Sequence, residues 1–144
     1  MLSLIKPIFS FLFFFSLLQA GAWAEEWKPY QATREGDIYY FDKDSIEKLP
    51  GHLIRIWVKT EKTDFRGGDM KKHVDEIVSG RKDNVTGEIV QLLEINCSKG
   101  MFRVINLAVY DKNNDIKEYF NIPSEWNTIP PESVTHSLYE QVCK

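Results

Sequence analysis

The sequence predicts an α+β fold: an antiparallel meander sheet of about six strands, with a C-terminal helix disulfide-tethered to one face. Three observations predict it. Most of the chain after Ile38 alternates apolar and polar residues in short runs, and most of the connections are tight turns. A clear helical stripe lies near the C-terminal end, where Val134, Leu138 and Val142 fall at i, i+4 and i+8. The two cysteines, Cys97 and Cys143, mark the end of a strand and the end of that helix.

The elements follow in order. Lys6 precedes an apolar run from Pro7 to Leu18, and Ala22-Trp23-Ala24 follows it. A basic start, a short apolar core and small residues before Glu25 read as a secretory signal cleaved between Ala24 and Glu25. The competing reading is an uncleaved anchor. The uncharged stretch is at the short end for a spanning helix, and it ends in a good cleavage site. No cysteine stands at the junction to carry a lipid. The expected organisation is a signal peptide over residues 1–24 and one domain over 25–144.

Trp27 to Ala32 contains Pro29 and reads as an edge strand. Gly36-Asp37 turns into a β-rich run from Ile38 to Asp42. Asp42 to Ser45 can cap one helical turn around Ile46, which Pro50-Gly51 ends. Leu53 to Thr60 is the clearest strand. Ile54, Ile56 and Val58 belong to a core, while Arg55, Trp57 and Lys59 form a cationic face with one large aromatic. In the polar stretch 61–87, Met70, Val74, Ile77 and Val78 predict a short amphipathic helix that Gly80 stops.

Glu88 to Cys97 is the next strand, with Ile89, Leu93, Ile95 and Cys97 on one face. Ser98-Lys99-Gly100 turns into Met101 to Tyr110. There Ile105, Leu107 and Val109 alternate with Phe102, Val104, Ala108 and Tyr110, so the strand is apolar on both faces and central. A polar turn leads to Ile116–Ile122, with Phe120 and Ile122 inward. Pro131 suits the start of the terminal helix.

In an exported chain an even cysteine pair reads as one disulfide, closing a loop of about 46 residues worth roughly 4 kcal/mol. Metal ligation by the same pair is the alternative, without any C-x-x-C spacing to support it. If the cysteines bond, the helix lies against the Leu93, Ile95 and Cys97 face.

Composition narrows the function. With 144 residues, 43% hydrophobic and 27% charged, the chain is of ordinary globular type rather than disordered. A net charge of −3 gives no electrostatic case for nucleic acid. His52, His73 and His136 have no partner at metal-ligand spacing, so no metal and no cofactor is expected. Asp111, Asn113 and Asp115 resemble the start of a calcium loop, but Ile116 and Ile122 stand where that loop needs Gly and Glu. A hairpin turn is the expectation there. Asn84-Val85-Thr86 and Asn96-Cys97-Ser98 are formal glycosylation sequons, which matter only in a host with that machinery; a bacterial source is the expectation, so they carry little weight. Glu94 reads as an ion-pair partner of Arg103 across the turn rather than as a general acid. No catalytic constellation is present, and an enzyme is not expected.

Three blocks then resemble the surface-adhesin protein E family of Gram-negative bacteria. They are Tyr39-Tyr40 with Asp42, Ser45-Ile46, Gly51 and Arg55 to Lys59; Glu94 to Cys97 with Arg103 and Tyr110-Asp111; and Trp126, Ile129-Pro130, Ser133, Leu138 and Val142-Cys143. The resemblance runs from Trp27 to Cys143. It implies a six-stranded antiparallel sheet with a disulfide-tied C-terminal helix, and binding of host matrix proteins, with haem binding also attributed to the family. The leading functional expectation is an exported noncatalytic binding protein, periplasmic or secreted to the cell surface, not lipid-anchored. Its partner would be an extracellular-matrix or envelope protein, with no membrane span after signal cleavage. The candidate surface is the Arg55, Trp57, Lys59 face, set against the expectation that the terminal helix or the 70–78 helix covers Trp57. The alternatives are a periplasmic accessory or structural protein of an envelope complex, and a small-ligand (haem) carrier using His52 or His136.

Overall fold

A computed structural model describes residues 26–63, 72, 85–121 and 123–144. The signal segment with its Ala24–Glu25 junction, the stripe from Met70 to Val78 and Ile122 lie outside the described residues. Among the described residues, eight strands form one antiparallel sheet. They are β1 (Trp27–Ala32), β2 (Ile38–Asp42), β3 (Glu47–Leu49), β4 (Leu53–Thr63), β5 (Val85–Asn96), β6 (Met101–Asp111), β7 (Ile116–Phe120) and β8 (Asn127–Thr128). Their order is β1-β2-β4-β5-β6-β7. The short β3 shares the flank of β4 with β2, and β8 shares the flank of β6 with β7. The helix α1 (Val134–Val142) completes the chain.

Along the main path the strands pair in chain order, with only the short β3 lying between β2 and β4 in sequence. Between β2 and β4 the expected helical turn is only a 3₁₀ turn, Lys43–Ser45. The Asp42 carboxylate caps it, accepting from the Asp44 N–H at 3.0 Å. Ile46 to Leu49 then extends along β4 instead of continuing a helix. The tight reversal that follows uses positive φ at Gly51 and His52.

One face of the sheet is dry. Phe41, Ile54, Ile56, Val58, Leu93 and Ile95 pack there with Ile129 and the fully buried Leu138 of α1. The helix opens at Ser133, whose Oγ accepts from the His136 N–H, so Pro131 lies in the preceding turn and not at the first helical position.

Two expectations need correction. The alternation along β6 is interrupted, because Leu93 pairs with Val104 but Leu92 pairs with Asn106. Ile105 is the extra residue of a bulge. Phe102 and Val104 therefore share the helix face with Leu107 and Val109, while Ala108 and Tyr110 point to the other side. Strand β7 buries nothing: Ile116, Tyr119 and Phe120 are 59%, 57% and 57% exposed. It is an outer strand with no further layer over it among the described residues, so Phe120 does not point into a core.

Gly87 sits on β5 close against the β6 backbone. A Cβ there would lie 2.8 Å from the Tyr110 carbonyl oxygen. Gly87→Ala is expected to cost about 1–2 kcal/mol as the strands are pushed apart. Urea unfolding should show a lower midpoint with an unchanged slope. An unchanged midpoint would contradict the close approach.

Candidate functional site

The disulfide decides which face of the sheet the terminal helix covers. Cys97 and Cys143 are bonded, with Cα atoms 5.4 Å apart, and no free cysteine remains. The disulfide pins α1 over the Ile54, Leu93 and Ile95 side. Tyr139 Oη reinforces it by donating to the Cys97 carbonyl at 2.9 Å. The opposite face carries Arg55, Trp57 and Lys59, so the terminal helix does not cover Trp57. Register explains the placement, since these odd-numbered residues alternate with the Ile54, Ile56 and Val58 that the helix packs against.

Arg55 and Lys59 are not free cations. Glu94, 2% exposed, lies between Arg55 and Arg103. Its Oε1 meets Arg55 Nη2 at 2.6 Å, and its Oε2 meets Arg103 Nη2 at 2.6 Å and Nε at 2.7 Å. Burial pushes the Glu94 carboxyl up, but the hydrogen bonds from both guanidiniums outweigh it and hold the group below its ordinary value. Arg103 also stacks over Trp126 at 4.7 Å. The expected Glu94–Arg103 pair is thus one arm of a triad.

Lys59 is boxed in. Its ammonium lies 3.2 Å from Glu61 and 3.6 Å from Glu88. It also sits 5.0 Å from the Trp27 ring centroid and 5.1 Å from that of Tyr40. Tyr40 donates to Glu61 at 3.2 Å. Burial, and then the Glu61 charge, push the Tyr40 phenol well above its ordinary value, so it stays a donor.

Beside this box runs a slot of about 290 Å³. Trp27, Trp57, Tyr110 and Tyr119 wall it, and Val90 and Ala108 form its floor. Asp42 and Asn106 are its polar members. Asn106 donates to Tyr119 Oη at 2.9 Å and to Asn121 Oδ1 at 3.2 Å, which fixes the Tyr119 ring at the sheet edge.

The two histidine candidates do not meet. His52 lines a cavity of about 440 Å³ at the disulfide end, with Leu49, Leu53 and Val142. His136 is not among its lining residues and stacks on Tyr139 instead. Among the described residues no group of three or more His, Cys, Asp or Glu could hold a metal. The Asp111–Asp115 loop is a hairpin turn. Asp111 Oδ1 accepts from the N–H groups of Asn113 and Asp115, and Oδ2 pairs with Lys117.

Reading the sequence strand by strand finds Trp57 but misses Trp27, Asp42, Tyr110 and Tyr119 as its neighbours. Only the pairing of Trp27 with Asp42, and of Ala108 with both Val90 and Tyr119, gathers them. The bulge at Ile105 is what turns Ala108 and Tyr110 toward the open face.

The sequence profile described as surface-adhesin protein E matches residues 27–144. The chain belongs to the surface-adhesin protein E family. Solved structures of Haemophilus influenzae protein E are similar to this member of the family. The selenomethionine form is 12% identical, with a TM-score of 0.45, over 81% of this chain and 92% of that one. Protein E from non-typeable Haemophilus influenzae is 8% identical, with a TM-score of 0.44, over 80% of this chain and 74% of that one. No curated protein matches the sequence. Among the described residues, no helix is long and apolar enough to cross a membrane.

Proposed function

We propose that this family member is an exported, noncatalytic binding protein that contacts a protein partner through its open sheet face. The face carries Arg55, Trp57 and Lys59 and continues onto strand β7. One observation carries the reading. Ile116 and Tyr119 are each more than half exposed on an outer strand, on the same side of the sheet as the aromatic slot that Tyr119 helps to wall. Large apolar side chains grouped on a sheet edge mark a contact surface, because water gains when a partner covers them. Arg55 and Lys59 hold the face in shape through their ion pairs, and Trp57 supplies contact area.

The proposal takes residues 1–24 as a cleaved signal and Glu25 as the mature N-terminus, without a lipid anchor. The partner is an extracellular-matrix or envelope protein, and neither a cofactor nor nucleic acid is required. Protease treatment of intact cells, with a periplasmic control protein, tests the location. Digestion with the control spared supports a surface protein. Protection overturns surface adhesion and leaves a periplasmic accessory protein. An Ile116→Ser, Tyr119→Ser double variant is expected to lose at least tenfold in binding to immobilised matrix protein while keeping its melting temperature within a few degrees. Equal binding by the folded variant would rule this surface out.

A further inference from the structure

We infer that the slot between Trp27 and Trp57 receives the cationic side chain of a lysine or arginine presented by the partner protein. The inference rests on the proposed open-face binding and specifies its chemistry. Four aromatic rings wall the slot, and the only ionised group among its described lining residues is the Asp42 carboxylate. Aromatic faces carry negative quadrupole density, and a carboxylate among them adds full charge. A cation entering such a slot exchanges water for ring faces and a carboxylate oxygen.

Asp42 is 8% exposed, so its charge acts with little screening by solvent. One of its oxygens is used by the Asp44 N–H, and the second remains available to an incoming donor. Asn106 spends both its amide hydrogens on Tyr119 and Asn121, which leaves its carbonyl oxygen as a further acceptor.

Among the described residues, the cation that reaches Trp27 is Lys59, and it does not defeat the site. Lys59 lies over the Trp27 ring, but Glu61 and Glu88 already answer its charge. The face also shows the recognition once within the chain: Lys59 is itself held by two rings and two carboxylates. A protein partner is favoured over a lone small cation because the slot opens beside β7. There, exposed Ile116, paired with the slot residue Tyr110, offers apolar contact to the residues flanking the inserted side chain.

The purified protein, disulfide intact, is titrated with a lysine-rich peptide and with an acidic peptide of equal length, following tryptophan fluorescence and amide chemical shifts. The lysine peptide is expected to bind, with shifts at Trp27, Trp57 and Tyr119, and the acidic peptide is not. Asp42→Asn keeps the oxygen that caps the 3₁₀ turn and should weaken binding about tenfold. Trp57→Leu should do the same, and Trp57→Phe should recover part of the loss. Equal binding by wild type and Asp42→Asn overturns the site and leaves only general attraction to a negatively charged protein. Binding of tetramethylammonium and of phosphatidylcholine vesicles without peptide binding overturns the protein partner in favour of a lipid headgroup. Matrix-protein binding that Ile116→Ser, Tyr119→Ser abolishes but Asp42→Asn and Trp57→Leu leave intact overturns the cation slot while the open-face reading stands.

Discussion

Replacing Cys97 and Cys143 together by serine is expected to cost about 4 kcal/mol of stability, read as a fall in melting temperature of roughly 15 °C. The disulfide closes a loop of 46 residues, and opening it returns that chain entropy to the unfolded state. The folded state loses a tether as well. Helix α1 has nine residues, too few to persist alone in water. It stays ordered because Leu138 is fully buried, Tyr139 donates to Cys97 and Ser137 meets Gln31 at 3.1 Å. Each contact becomes weaker when the helix can lift from the sheet. The loss is a large part of the 5–15 kcal/mol that small domains possess. Calorimetry with and without reductant checks it. Below the lowered transition the open face should keep its ligand binding, because Trp57 and Lys59 lie on the side away from α1. A shift of only a few degrees would mean that the core alone secures the helix.

Glu94→Gln is expected to cost about 3 kcal/mol at pH 7, from the loss of one buried partner in a charge cluster. The carboxylate is 2% exposed, and its removal leaves Arg55 and Arg103 facing each other without their shared anion. The figure stands at the low end of the range for buried pairs because the two Arg side chains are 36% and 30% exposed and keep part of their hydration. The same triad makes stability pH-dependent. The Glu94 carboxyl is held below its ordinary value of 4.5. An unfolded chain takes up a proton there while the folded chain does not. The stabilisation is therefore complete above about pH 4.5 and is lost as the pH falls through the depressed value. Urea unfolding of both proteins at neutral pH and at about pH 3 should show the gap between them narrowing on the acid side. A gap that stays constant would mean that lost packing, not charge, produces the effect.

Much of the fold is legible in the sequence because its faces alternate strictly. Ile54, Ile56 and Val58 against Arg55, Trp57 and Lys59 mark β4 and both of its environments. Leu138 and the cysteine pair tell where the helix must lie, and the Glu94–Arg103 pair follows from a three-residue turn. Legibility stops where pattern and register part. Nothing local in Val104-Ile105-Asn106 announces a bulge, since an extra residue is specified by the strand opposite it. Phe120 reads as a core residue because it is apolar, yet a strand at the edge of a sheet has one neighbour and no guarantee of a layer above it. The cover expected over Trp57 fails for the terminal helix, because one helix cannot lie on both faces and the disulfide commits it to the other.

The sequence by itself determined the antiparallel meander, the terminal helix and the family to which the chain belongs. It did so because side-chain period, turn residues and cysteine count are local quantities. Only the tertiary structure decided that the cations of the Arg55–Lys59 face are spent on Glu94, Glu61 and Glu88, and that Trp27, Asp42, Trp57 and Tyr119 share one slot. Those residues come from four strands, and their meeting depends on the pairing register and one bulge, which exist only after the strands have found each other.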